Sequence, residues 1–102
     1  MYRRCSVFRS PKLLSFARGQ ACVMCDSDDG TVVSAHSNLL EHGKGRGMKA
    51  HDGMHAWLCY RCHSELDQGK NQTREERREL MLTAISRTYM RLWDQGLIKT
   101  KG

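Results

Sequence analysis

Aromatic residues are scarce in this chain, with two tryptophans, three tyrosines and two phenylalanines among 102 residues. Hydrophobic residues of all kinds make up only 39%. One small domain of this length therefore buries a modest core. Because small domains often depend on a bound metal or on disulfides, the composition predicts a fold with such reinforcement.

Long apolar runs are also missing. No stretch has the roughly 20 apolar residues that a membrane-spanning helix needs. The N-terminal segment "MYRRCSVFRSPK" is basic and lacks the apolar centre of a signal peptide. We therefore expect an intracellular, cytoplasmic protein with no membrane partner.

The chain has five cysteines, an odd number. In a reducing compartment, paired C-x-x-C spacings indicate metal sites rather than disulfides. Four cysteines form two such pairs, and Cys5 is left over as a predicted free thiol. We expect residues 1–9 to be a flexible basic arm and residues 10–102 to form a single domain.

The two pairs, Cys22 with Cys25 and Cys59 with Cys62, predict one structural zinc site. Zinc in such sites prefers four tetrahedral ligands, and thiolates suit it. Four unrelated core cysteines would be a coincidence of spacing, and no thioredoxin-like βαβ pattern supports a redox pair. Four thiolates leave no position for water, so this zinc is not expected to be catalytic.

Positive charge exceeds negative charge, 17 residues against 11, a net +6. A four-thiolate zinc site would lower this to about +4. A basic chain suits an anionic partner, most commonly nucleic acid. The glycine-rich stretch at 41–53 carries Lys44, Arg46 and Lys49, which we predict to contact the nucleic-acid backbone independently of sequence. The alternative is a solvated loop without a partner.

The sequence pattern predicts an α+β fold. "TVVSA" and "HAWL" are short and suit strands. Thr73 can cap a helix, with Glu76 completing a capping box. In chain order we predict a short helix with Pro11 at its first position and Gly19 after its end, strands at 31–35 and 55–58, a helix at 60–68, and a long C-terminal helix that Gly96 ends.

A second group of ligand-type residues lies near the second cysteine pair. His63 and Asp67 are four residues apart in a predicted helix, so they share one face at about 5–6 Å between Cβ atoms. His63 follows Cys62 and points about 100° away from it. One helix could therefore serve two sites. Taken alone, both residues could equally be ordinary surface groups.

His36 strengthens the two-site interpretation because it ends the first predicted strand. The segments "AH" at 35–36, "GRGMKAHD" at 45–52 and "CYRCHSELD" at 59–67 together resemble the HNH endonuclease family. They are most similar to small phage and prophage nucleases of the YbcO-like group and to the recombination-enhancement Ref nuclease. The resemblance runs from about residue 10 to the C-terminus and implies a zinc-stabilised ββα-metal domain with a long C-terminal helix.

The resemblance also implies an activity, the metal-dependent hydrolysis of DNA phosphodiester bonds. His36 would be the general base, and His63 and Asp67 would hold a catalytic Mg²⁺ or Mn²⁺. Asp52 is a further candidate ligand for that ion. The expected partner is DNA, bound largely without regard to sequence, together with recombination proteins.

Two departures from the HNH pattern keep a second function open. Ala35 stands where many HNH proteins have a metal-binding residue, and the asparagine of the motif has no clear match, with Asp52 and His55 near its place. The alternative is a non-catalytic, zinc-stabilised nucleic-acid-binding protein that assists recombination. A third is a zinc-bound interaction domain. Convergence of His36, His63 and Asp67 on one spot would favour the enzyme.

Overall fold

The fold combines a small sheet with helices, as the sequence pattern predicts. The computed structural model describes residues 8–42, 49–68 and 72–100. Its elements are α1 (Pro11–Ser15), β1 (Val33–His36), a 3-10 turn (Leu40–His42), β2 (His55–Leu58), α2 (Tyr60–Gln68) and α3 (Arg74–Asp94). The α+β class and the long C-terminal helix are confirmed. No helix in these described stretches is long and apolar enough to cross a membrane.

The sheet is a two-stranded antiparallel hairpin in which Val33 pairs with Leu58 and His36 pairs with His55. The first strand begins two residues later than the predicted 31–35. Thr31 is used elsewhere, because its hydroxyl donates to Asp29 and accepts the backbone N–H of Tyr60 at 3.0 Å. Thr31 therefore holds the start of α2 instead of pairing in the sheet.

The helix α1 begins at Pro11 as predicted but ends at Ser15, well before Gly19. Ser10 caps it by accepting the backbone N–H of Leu13, and Pro11 occupies the first turn. The chain then leaves the helix through turns to Gly19, whose φ of +77° is a conformation that glycine adopts without strain. The hydroxyl of Ser34 donates to the carbonyl of Leu14 at 2.7 Å and joins α1 to β1.

The core lies between β2 and α3. All four residues of β2 are buried, and the buried face of α3 consists of Met81, Ala84, Ile85, Thr88 and Leu92. The predicted capping box of Thr73 and Glu76 begins the helix, and Gly96 follows its end with a φ of +69°. The hairpin that carries His36 therefore has a rigid support.

On the edge of β2 that faces away from β1, the backbone N–H and C=O groups of Trp57 form hydrogen bonds with other parts of the fold. The N–H of Trp57 donates to the hydroxyl of Thr88 at 3.0 Å, and that hydroxyl donates to the carbonyl of Ala84. The carbonyl of Trp57 accepts the N–H of Val23 at 3.0 Å. These bonds attach both α3 and the first cysteine pair to the strand.

Candidate functional site

The four paired cysteines form one cluster. The sulfurs of Cys22, Cys25, Cys59 and Cys62 all lie within 4.8 Å of one another. The Sγ atoms of Cys25 and Cys59 are 3.6 Å apart, too far for a disulfide. Tetrahedral zinc with bonds of about 2.3 Å would place sulfurs about 3.8 Å apart. The predicted cysteine set is therefore confirmed as a group that can hold a metal ion such as zinc.

Three hydrogen bonds to backbone carbonyls hold the first cysteine turn against β2 and α3. Val23, inside the first turn, bonds to Trp57 at the end of β2. The guanidinium of Arg87 donates to the carbonyl of Val23 at 3.2 Å, and that of Arg91 donates to Ala21 at 2.9 Å. Because these arginines lie on α3, the long helix fixes the position of the first turn relative to the second.

The surroundings of the thiols lower the pKa of Cys22 and raise the pKa values of Cys59 and Cys62. Burial raises the pKa of Cys22, but backbone N–H groups of Cys25, Cys59 and Met24 outweigh it and bring the pKa to about 7. Burial and hydrogen bonds with the neighbouring cysteines raise the pKa of Cys62. Four sulfurs this close can all be thiolates only when a cation offsets their charge, which fits a divalent metal.

His63 and Asp67 meet on the other side of α2. Their Nε2 and Oδ2 atoms are 3.2 Å apart, and both side chains are partly exposed. Cys62 and Glu65 line a different cavity of about 380 Å³. One helix therefore presents the cysteine cluster on one side and the His63–Asp67 pair on the other, as the helical spacing predicts. Glu65 also lies away from this pair, as expected.

A surface cleft of about 430 Å³ brings the predicted catalytic residues together. It is lined by Ser34, Ala35, His36, Ser37, Asn38, Lys49, Ala50, His63 and Asp67, and we call it the His36 cleft. Among the described residues, the four paired cysteines are the group of at least three ligand-type side chains whose ligand atoms all lie within 4.8 Å of one another. His36, His63 and Asp67 do not form such a group. His36 thus shares the cleft with His63 and Asp67 without joining them in one tight ligand set.

Asp52 contacts His36 rather than the His63–Asp67 pair. Its Oδ1 lies 2.8 Å from Nε2 of His36, and its Oδ2 accepts the N–H of Ser10 at 2.6 Å. Burial alone would raise the pKa of Asp52, but the bonds from His36 and Ser10 outweigh it and hold that pKa below its usual value. An ionised Asp52 accepts a hydrogen bond from Nε2–H of His36. In the neutral ring, Nδ1 then keeps the free lone pair.

Both carboxylate oxygens of Asp52 are therefore engaged within the protein. This geometry favours an orienting role for Asp52 over metal ligation. In metal and catalytic sites, a carboxylate behind a histidine fixes its tautomer and ring orientation. The sequence pattern included Asp52 in the "GRGMKAHD" motif but gave no signal for this pairing.

The end of the predicted basic arm contacts the loop that carries Asp52. The guanidinium of Arg9 donates to the carbonyls of Ala50 and Lys49 at 3.0 and 3.1 Å. The ring of Phe8 stacks on His51 with centroids 4.5 Å apart. Sequence reasoning missed these contacts, since no periodicity or motif marks residues 8 and 9. The rest of the arm, with Cys5, lies outside the described residues.

The predicted nucleic-acid contacts are described only in part. Lys49 is exposed and lines the His36 cleft. Lys44 and Arg46 lie outside the described residues. Among its described lining residues, the cleft carries the positive side chain of Lys49 together with the His63–Asp67 pair.

His55, near the place of the missing motif asparagine, is a buried support for the Asp52 loop. Its side chain is fully buried, and its Nδ1 lies 2.9 Å from the carbonyl oxygen of Asp52. Among the described residues its Nε2 has no partner. A neutral ring donates through Nδ1–H and leaves Nε2 as a bare lone pair, whereas a charged ring would bury an unpaired N–H. Burial accordingly lowers the pKa of His55.

We expect His55 to make the fold sensitive to mild acid. The unfolded histidine takes a proton as pH falls below about 6.5, while folded His55 stays neutral, so stability is lost from that pH downward. The loss approaches about 1.4 kcal/mol per pH unit for one full proton. His55→Asn keeps a donor and should show a shallower decline between pH 7 and 5 in chemical denaturation. Equal slopes in both proteins would exclude His55, because thiolate protonation is common to both.

Comparison with known families agrees with these features. A family model described as "Putative nuclease YbcO" matches residues 11–97, which includes the cysteine cluster and every described residue of the His36 cleft. No curated protein and no solved structure shows a significant match. The matched region covers well over half of the chain. On this basis, the chain belongs to the YbcO family.

Proposed function

We propose that the protein is an HNH-type, metal-dependent endonuclease of phage or prophage type that hydrolyses DNA phosphodiester bonds in the His36 cleft. The observation that carries this proposal is the convergence of His36, His63 and Asp67 on one cleft, with Asp52 behind His36. A protein that only binds nucleic acid does not require these groups to meet. Membership of a nuclease family supports the same conclusion.

In this proposal His36 is the general base. Its Nδ1 takes a proton from the attacking water, since Nε2 already carries the proton bonded to Asp52. The carboxylate of Asp52 holds the ring in place and stabilises the imidazolium that forms. Ser10 and Arg9 in turn hold Asp52, because the first donates a backbone N–H to it and the second lies 3.7 Å from its Oδ1. The proton has a defined acceptor, so no nucleophilic side chain is needed.

His63 and Asp67 fit the requirements of a hard divalent ion. Two adjacent ligands of octahedral Mg²⁺, each about 2.1 Å from the ion, lie about 3 Å apart. The His63 Nε2 and Asp67 Oδ2 atoms are 3.2 Å apart. A mixed nitrogen and oxygen set suits Mg²⁺ or Mn²⁺. When bound, such an ion supplies positive charge to a phosphate oxygen and to the leaving 3′ oxygen.

Lys49, with Lys44 and Arg46 of the same basic loop, would position the substrate. Lys49 lines the cleft and can bind the phosphate next to the scissile one. Contacts with phosphate groups depend on charge and do not distinguish one base from another. The proposed enzyme is therefore largely indifferent to sequence, and its zinc cluster stabilises the fold without entering the reaction.

The test is incubation of plasmid and single-stranded DNA with added Mg²⁺, added Mn²⁺ or no added ion, comparing wild type with Asp67→Ala. We expect Asp67→Ala to lower cleavage at limiting metal by at least about tenfold, because a lost ligand weakens ion binding. High metal should restore part of the activity. The zinc content should remain at one per chain.

Asp28→Ala is a matched control for this experiment, because Asp28 is an exposed aspartate outside the cleft. It should cleave as wild type does. Normal activity of Asp67→Ala at limiting metal would contradict the assignment of the ion to His63 and Asp67.

A non-catalytic nucleic-acid-binding protein that assists recombination is the second candidate. Ala35 favours it, since this residue lines the cleft with a methyl group and offers no metal ligand. With alanine in that place, His63 and Asp67 are the two ligands proposed for an ion among the described residues of the cleft. Salt-sensitive DNA binding without cleavage under any added metal would establish this second function.

A further inference from the structure

The first turns of α3 separate their charges onto two sides. Residues 74–79 include three arginines and three glutamates, so their net charge is zero. At 100° per residue, the arginines fall within an arc of about 100° and the glutamates within an arc of about 100° on the other side. The arginine side consists of Arg74, Arg77 and Arg78, and we call it the arginine face.

The surface cavities follow the same division. The arginine face lines a cavity of about 310 Å³ together with Asn38, Leu39 and Glu41. Glu76 and Glu79 line a different one. The net charge of residues 74–79 is therefore zero, but the positive and negative side chains lie on different sides of the helix. One side of α3 presents a local positive field to solvent.

The arginine face is adjacent to the proposed catalytic cleft. Asn38 lines both the arginine cavity and the His36 cleft. It is exposed and lies two residues after His36. The two depressions are therefore neighbours that share Asn38, with His36 and Lys49 lining one and the arginines lining the other.

Two of the three arginines are free to bind an external anion. Arg78 forms a bidentate ion pair with Glu41, and this bond from Arg78 lowers the pKa of Glu41. Arg74 and Arg77 make no ion pair within the described residues. Like charges one turn apart repel each other, so their shared face gains from an anionic ligand.

We infer that Arg74 and Arg77, with Asn38 at the junction, bind the phosphate backbone of the same nucleic acid that enters the His36 cleft. This inference rests on the proposed function. A guanidinium presents two parallel N–H donors to a phosphate, and an amide side chain can donate to one as well. The path of the strand would run from the His63–Asp67 pair, past Asn38, to the start of α3.

The shared border of the two depressions at Asn38 favours nucleic acid over an acidic protein as the partner. A backbone that reaches His36 carries a phosphate at every nucleotide, so a strand that continues past Asn38 places its next phosphates at the arginine face. The contacts position the substrate and do not touch the reacting atoms. Arg74 and Arg77 are thus positioning residues and not catalytic ones.

The test is Arg74→Ala/Arg77→Ala in the full chain, with DNA affinity measured against salt without added Mg²⁺ or Mn²⁺. We expect the slope of log K against log salt to fall in magnitude by nearly two for duplex DNA, about 0.9 for each lost phosphate contact. With metal added, KM should rise while kcat stays unchanged, because positioning contacts are lost and the chemistry is intact.

Three controls separate a local contact from a general charge effect. Arg74→Lys/Arg77→Lys keeps both charges and should keep the slope. Glu75→Gln/Glu79→Gln raises the net charge by two on the other side of the same helix and should leave the slope unchanged. Lys99→Ala removes one positive charge beyond the far end of α3 and should weaken binding less than Arg77→Ala.

The outcomes distinguish this inference from the proposed function. An unchanged slope and KM in Arg74→Ala/Arg77→Ala, while wild type cleaves DNA, would overturn the inference alone. Equal weakening by Lys99→Ala and Arg77→Ala would overturn it as well. If Arg74→Ala/Arg77→Ala had a reduced salt slope while wild type cleaved no DNA, the result would support the binding surface and contradict the catalytic proposal.

Discussion

Replacing His36 with alanine should slow DNA cleavage by about 10²–10⁴-fold, the usual contribution of a general base. The substitution removes the proton acceptor but leaves the cysteine cluster, Lys49 and the arginine face unchanged. His36→Ala should therefore fold, keep its zinc and bind DNA as wild type does. Cleavage rates under single-turnover conditions would measure the chemical step separately from binding.

The pH profile gives an independent signature of the same role. Wild-type cleavage should decline as the solution becomes acidic, because a protonated imidazole has no lone pair for the proton of water. Asp52→Asn should cause an intermediate loss, since a neutral amide no longer stabilises the imidazolium. These two results would separate general-base catalysis from a structural role for His36.

His42→Ala is the control for removing a histidine close to the cleft. His42 bonds to Ser37 through Nδ1 at 2.6 Å but does not line the His36 cleft. It should retain most of the cleavage rate. If His36→Ala cleaved at the wild-type rate with no dependence on pH, the active site would lie elsewhere in the chain.

Cys59→Ser should prevent stable folding. Structural zinc binding is worth about 10–16 kcal/mol in zinc-finger peptides, comparable to or larger than the whole stability of a typical domain, about 5–15 kcal/mol. Cys59 is nearly fully buried and directly follows β2. Loss of one thiolate would therefore disturb the strand that carries the core as well as the metal site.

Elemental analysis and circular dichroism would measure this effect. Wild type should contain one zinc per chain, and Cys59→Ser should lose both the metal and the cooperative thermal transition. Cys5→Ser is the matched control, because Cys5 is the cysteine outside the two pairs, and it should keep the zinc and the fold. A well-folded wild-type preparation without metal would refute the zinc assignment.

Local patterns in the sequence predicted most of the framework. The bounds of β2 and α2 follow from the short apolar run of "HAWL" and the helical spacing after Cys59. The start of α3 follows from Thr73 and Glu76, which satisfy each other's backbone groups within four residues. The cysteine cluster follows from spacing alone. The helix and strand bounds depend on neighbours in the chain, whereas the two cysteine pairs, 34 residues apart from Cys25 to Cys59, are joined by the shared ligand chemistry of their spacing.

The support of His36 depends on contacts between distant residues, and sequence patterns do not encode those. Asp52 lies 16 residues from His36, and Ser10 lies 42 residues from Asp52. A carboxylate and a histidine at such separations pair only once the hairpin and α1 have packed. The arginine face was not predicted for another reason. Its three positive charges are cancelled by the three glutamates of residues 74–79 when charge is summed along the sequence.

The bonds to Trp57 connect metal supply to the solubility of the protein. An exposed strand edge recruits strands from other molecules, and the unpaired N–H and C=O groups of an edge strand are what such pairing uses. On the free edge of β2, Thr88 accepts the N–H of Trp57, and Val23 donates its N–H to the carbonyl of Trp57. Both groups are therefore blocked from pairing with another strand. Val23 lies between Cys22 and Cys25, so metal depletion would release this block and expose an apolar strand. We therefore expect removal of the metal to cause self-association of the chain in addition to any loss of activity.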